Sequence, residues 1–98
     1  MLTSKQRSYL RSISSDIKDA AQIGKDGLTS NIIGQIDAYL EANELMKIKL
    51  QQNCGENIKE TALDISKLTN SDTVAIIGRK IIIYRKSQKQ PLIFLPRQ

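Results

Sequence analysis

The chain has 98 residues, enough for one domain with a modest core and too few for a large substrate cavity. It carries 15 Lys and Arg against 10 Asp and Glu, a net charge of +5, with one Cys and no His or Trp. That composition excludes an internal disulfide, a histidine proton shuttle and a Cys/His zinc cluster, and no apolar run approaches the ~18 residues of a membrane span.

Leu2, Tyr9, Leu10, Ile13 and Ile17 fall on one helical face, with Arg7 and Arg11 on another. They predict a helix from about Ser4 to Ser15 or a little beyond. Ala21-Gln22-Ile23 then reads as a short buried strand, ended by Gly24-Lys25-Asp26-Gly27. Two glycines three apart suit a tight loop with positive φ and close backbone packing. Thr29 or Ser30 caps a second helix whose apolar positions are Leu28, Ile32, Ile33, Ile36 and Leu40, ending near Asn43. Gly34 sits inside it without a capping role, and is expected to mark close approach to a neighbouring element.

Leu45 to Leu50 is a strand. Met46, Ile48 and Leu50 alternate with Lys47 and Lys49, which implies one apolar face and one wetter, basic face. Gln51 to Gly55 is a connector holding the lone thiol of Cys54, with no role assigned. Ile58, Ala62, Leu63, Ile65 and Leu68 predict a third helix from about Glu56 to Leu68, broken by Asn70-Ser71-Asp72. Thr73 to Ile77 and Ile81 to Arg85 are β-rich runs around Gly78-Arg79-Lys80, the pattern of a hairpin. Residues 86–98 form a basic tail with Pro91 and Pro96. Its apolar piece, Leu92 to Leu95, either packs on the body or adds an edge strand.

The order α-β-α-β-α-β-β predicts a single α/β domain over residues 1–98, with helices packed on a mixed four-stranded sheet. The first two strands can be parallel, joined by the second helix.

Charge is unevenly spread along the chain. Residues 36–72 hold four cations and seven acids, whereas residues 73–98 hold six cations and no acid. One part is suited to a polyanion and another repels it. The loop before the second helix suggests how a polyanion would be held. A helix N-terminus presents backbone N–H groups and partial positive charge. Glycines remove the Cβ atoms that would block a phosphate, and Lys25 can neutralise it. KH domains clamp a nucleic-acid backbone with a G-x-x-G loop by the same means. Alone, G-x-x-G is more often a plain turn, and Asp26 beside it does not favour an anion. Neither a P-loop nor a dinucleotide fingerprint is present.

Several stretches together are more specific. Leu2 to Arg11, the run Gln22-Ile23-Gly24-Lys25-Asp26-Gly27-Leu28-Thr29, Glu44 to Lys49, and Ile77 to Arg85 resemble, in order, the opening helix, G-K-x-G-x-T loop, second strand and closing hairpin of the CRM-domain family. That family includes the stand-alone bacterial YhbY-type proteins. The resemblance spans about residues 2–86. It implies an RNA-binding fold similar to the C-terminal domain of translation initiation factor three. It also implies a partner in ribosomal RNA or a precursor of the large ribosomal subunit. The family positions carry over to Gly24, Lys25, Gly27 and Thr29, and less directly to Arg7, Arg11, Arg79, Lys80 and Arg85. Asp26 occupies the variable position of the loop.

The expectation is therefore an RNA-binding protein that is not an enzyme, with no cofactor or metal, cytoplasmic and monomeric. Scarce aromatics imply that backbone contacts dominate, with modest sequence preference and strong salt dependence. Tyr84 can either stack on a base or pack in a strand, and packing is the commoner fate. A second reading is a protein-interaction adaptor whose acidic middle binds a basic ribosomal or assembly protein.

Overall fold

The computed structural model describes residues 2–52, 57–89 and 91–96; Cys54 lies outside the described residues. The elements follow the predicted order: α1 Ser4–Ser14, β1 Asp19–Ile23, α2 Ser30–Asn43, β2 Leu45–Leu50, α3 Ile58–Thr69, β3 Asp72–Ile77 and β4 Lys80–Tyr84. Each helix begins at a side-chain cap. Thr3 Oγ1 accepts from the Gln6 N–H while the Gln6 side chain accepts from the Thr3 N–H, both at 3.1 Å. Thr29 caps α2 and Asn57 caps α3. Such caps contribute about 0.5–2 kcal/mol each.

The sheet order is β1-β2-β4-β3, with β1 parallel to β2 and the other pairs antiparallel. Helix α2 is the crossover that a parallel β1–β2 pair requires. The two central strands run in regular register. Each edge strand carries one extra residue, Ala20 between the pairs Asp19–Lys47 and Ala21–Ile48, and Val74 between Thr73–Ile83 and Ala75–Ile82.

Both sheet faces are covered, to different extents. On one, Ile23, Met46, Ile48, Leu50, Ile81 and Ile83 pack with Ile36 and Leu40 of α2 and Ala62 and Ile65 of α3. On the other, Leu45, Val74, Ile82 and Tyr84 pack with Leu10 of α1, flanked by Ile13, Ile17, Ile93 and Leu95. The basic face of β2 is thus wet only at one end: Leu45 is buried beneath α1, while Lys49 is exposed. Tyr84 belongs to this second core at 5% exposure, so it packs rather than stacks. Burial, aided by the Glu44 and Asp72 carboxylates, pushes its phenol above the ordinary value.

Gly34 departs from expectation. It is exposed on α2, and a Cβ there would meet nothing within 4 Å, so no close approach explains it.

The C-terminal segment is pinned by two acids of the middle region. Glu44 is fully buried at the end of α2, with φ 68° and ψ −40°. Its carboxylate accepts from the backbone N–H groups of Ser87 and Ile93, each at 2.6 Å, and from that of Leu92. Its carbonyl accepts from the Arg85 N–H at 2.9 Å. Glu41 accepts from the Ser87 hydroxyl at 2.7 Å and from the N–H groups of Gln88 and Lys89. Of the two fates expected for Leu92 to Leu95, packing on the body is the one observed. No strand forms in residues 91–96.

Candidate nucleic-acid interface

Parallel pairing of β1 and β2 brings their C-terminal ends together. Ile23 lies opposite Leu50, and the Gln51 N–H donates to the Ile23 carbonyl at 2.8 Å. The 24–27 loop therefore stands beside the exit from β2. The β3–β4 turn closes on the same end, since the Leu50 N–H donates to the Arg79 carbonyl at 2.8 Å. The N-termini of α2 and α3 also face this end, because each helix follows one of these strands.

Within the loop, the Gly27 N–H donates to the Gly24 carbonyl at 3.0 Å, closing a turn with Lys25 and Asp26 at its tip. Both tip side chains are exposed. Gly27 is buried and adopts φ 66°, a conformation that suits glycine; Gly24 does not need it. Thr29 accepts from the Ile32 N–H at 3.2 Å, which fixes the first turn of α2 directly behind the tip. The arrangement is a cationic tip in front of a capped helix start.

The hairpin cations are already engaged. Arg79 donates from Nε to the Leu50 carbonyl at 2.9 Å and from Nη2 to the Gln51 carbonyl at 2.6 Å. It ties the turn to the end of β2. Lys80 Nζ lies 3.2 Å from Asp19 Oδ1, a buried oxygen with no hydrogen bond of good geometry. The contact is thus an ion pair.

Arg85 lies at the opposite end of the sheet. Its guanidinium reaches the Asp37 carboxylate, the Asp37 carbonyl at 2.8 Å and the Thr69 carbonyl at 2.8 Å, with Glu41 at 4.0 Å. Its side chain is 18% exposed. The distribution of donors makes it a brace between α2 and α3. Arg7 and Arg11 are exposed on α1, which covers the other half of the basic sheet face. Among the described residues, no acid forms an ion pair with Lys25, Lys49, Arg7 or Arg11.

Cross-strand register shows a feature the linear reading passed over. Gln22, Lys49, Lys80 and Ile77 form one row across all four strands, on the α1 side but beyond its cover. Three of the four are exposed, and the Lys80 side chain is 45% exposed. Gln22, read as part of a buried strand, faces solvent instead. Its signal was available in the alternation with Ala21 and Ile23.

Three acids of the middle region are engaged within the chain, Asp37 on Arg85 and Glu41 and Glu44 on the C-terminal segment. Ser87 first, then the N–H groups of Gln88 and Lys89 and the Arg85 charge, hold the Glu41 carboxyl below its usual value against partial desolvation. Among the described residues, no group of three or more Cys, Asp or Glu side chains is placed to hold a metal ion, and no helix is long and apolar enough to cross a membrane.

Comparison with known proteins agrees with this architecture. The solution structure of the Staphylococcus aureus protein SAV1595 is 46% identical and superposes with a TM-score of 0.83, covering 98% of this chain and all of that one. The Bacillus subtilis protein named "Probable RNA-binding protein YqeI" is 40% identical over 96 residues, which is 98% of this chain and 100% of the relative. A Haemophilus influenzae protein named "RNA-binding protein" is 28% identical over 97 residues, 99% of this chain and 97% of its own length. The model of the CRS1 / YhbY (CRM) domain matches residues 2–85. With all but its ends inside that match, the chain belongs to the CRS1 / YhbY (CRM) domain family.

Proposed function

We propose that this chain is an RNA-binding protein that grips ribosomal RNA backbone during assembly of the large ribosomal subunit. The observation that carries the reading is the exposed Lys25 tip, bracketed by Gly24 and Gly27 and set before the Thr29-capped start of α2. Backbone N–H groups and the helix dipole favour a phosphate there, and Lys25 adds a full charge. Relatives named as RNA-binding proteins, matching over nearly their whole length, support it. In this reading Gly24, Lys25, Gly27 and Thr29 form the grip. Arg7 and Arg11 add charge on α1 and Lys80 adds it in the open row, whereas Arg79 and Arg85 hold the frame. The protein acts as a cytoplasmic monomer without catalysis or cofactor.

The test is binding of the nuclease-treated protein to large-subunit ribosomal RNA fragments across a salt series, with Lys25→Asp beside it. Wild-type affinity should fall steeply with salt, and the variant should bind at least about tenfold more weakly with a shallower slope. Equal binding by a folded variant would remove the loop from the interface. No wild-type binding at low salt would sink the RNA reading.

A further inference from the structure

At the loop end of the open sheet face, the side chains of Gln22 and Gln51 meet. Gln51 Nε2 donates to Gln22 Oε1 at 2.6 Å. The contact joins β1 to the residue just past β2, two positions before Gly24. The backbone beneath it is doubly fixed, by the Gln51 N–H on the Ile23 carbonyl and by the Arg79 guanidinium on the Leu50 and Gln51 carbonyls. Lys49 is exposed beside Gln22 in the cross-strand row.

We propose that this amide pair is a base-reading element, contacting the edge of a nucleobase next to the phosphate held at the 24–27 loop. The inference rests on the RNA-binding reading and adds to it a source of sequence preference. The chemistry follows from what the pair leaves over. One amide has used a donor and the other an acceptor site. Gln22 keeps two N–H donors, and Gln51 keeps a carbonyl oxygen and one N–H. Each amide is oriented by the other, so these groups are presented in a fixed pattern. A single-stranded RNA base splayed from its neighbours exposes complementary donors and acceptors on its Watson–Crick and Hoogsteen edges. The mutual hydrogen bond already restricts both side chains, which reduces the ordering cost of binding. Lys49 draws the adjoining phosphate without distinguishing bases. Ile77, 45% exposed at the far end of the row, offers an apolar surface farther along a bound strand. With Tyr84 buried, hydrogen bonding at this pair is the means of discrimination that the open face provides.

The experiment measures binding of fluorescently labelled poly(A), poly(C), poly(G) and poly(U) of equal length, at one salt concentration and then across a salt series. Wild type, Gln51→Leu, Gln22→Leu and Lys25→Asp are compared, with circular dichroism to verify folding. Both glutamines lie at the surface, and Gln51→Glu serves as a second variant that retains an acceptor while removing the donor. Wild type should favour one polymer by about fivefold or more, the lower end for a bidentate base contact. Each leucine variant should bring the four polymers within about twofold while keeping the wild-type salt slope, and Gln51→Glu should change which polymer is favoured. Lys25→Asp should weaken all four alike. Equal wild-type binding of the four polymers, or a preference that survives both leucine variants, overturns the base-reading role and leaves the phosphate grip standing. A reduced salt slope with uniform weakening in the leucine variants also overturns it, by making the pair a backbone contact. Failure of wild type to bind any polymer overturns both readings.

Discussion

Replacing Glu44 with alanine should detach the segment from Ser87 onward while leaving the RNA grip in place. The wild-type carboxylate is fully buried and takes three backbone N–H groups, from Ser87, Leu92 and Ile93. Left buried without it, each N–H would cost about 1–3 kcal/mol. The segment avoids the full sum by peeling into water. It then gives up the half-burial of Ile93 and Leu95 and regains backbone freedom. The net loss falls at about 1–3 kcal/mol, the scale of hydrogen bonds to a charged group that are no longer made. For a domain of this size, that lowers Tm by roughly 4–24 °C. Glu44→Gly separates backbone from side chain. The residue sits at φ 68° and ψ −40°, a strained region for a side-chain-bearing residue, so glycine should recover about 1 kcal/mol relative to alanine. Urea unfolding gives the stabilities, and hydrogen exchange at Ser87, Leu92 and Ile93 reports the segment. A loss under about 1 kcal/mol, with those amides still protected, would refute the anchoring argument.

Two further predictions concern stability. Gly34→Ala should raise it by about 0.5–1 kcal/mol, because an exposed mid-helix glycine carries an entropy cost and the added Cβ meets nothing; a lower urea midpoint would contradict this. The Glu41 carboxyl is held below its ordinary 4.5 in the folded state, so its contribution is present above that value and lost as pH falls through the lowered one. Acidification should therefore destabilise wild type more than Glu41→Gln, and parallel stability–pH curves for the two would argue against it.

Local chemistry explains why so much of the fold was legible. The alternation in Leu45 to Leu50 gives a strand whose bounds match the structure, and Thr29 and Asn43 bracket α2 as the cap and apolar spacing predict. The 24–27 turn follows from its glycines. What stayed hidden depends on partners far away in the chain. Arg85 reads as one more cation in a basic segment, yet its hydrogen bonds go to Asp37, 48 residues away, and to Thr69. Glu44 reads as a charge near a helix end, and its partners lie 43 to 49 residues on. The Gln22–Gln51 contact appears only once β1 is known to run parallel to β2 in this register. Periodicity indicates which face a residue occupies, but not what lies opposite it.

The extra residues in β1 and β3 also bear on how the protein behaves in concentrated solution. Outer strands expose a row of N–H and C=O groups on which another chain could template. In this sheet the irregularities, at Ala20 and Val74, fall on the two outer strands, while the inner pair is unbroken. A bulge twists the strand and interrupts the even spacing that a docking strand needs. The same displacement sends Val74 into the core beneath α1, so one inserted residue both fills the interior and blunts the border. Resistance to edge-to-edge pairing is thus built into the hydrogen-bond ladder itself, independently of surface charge.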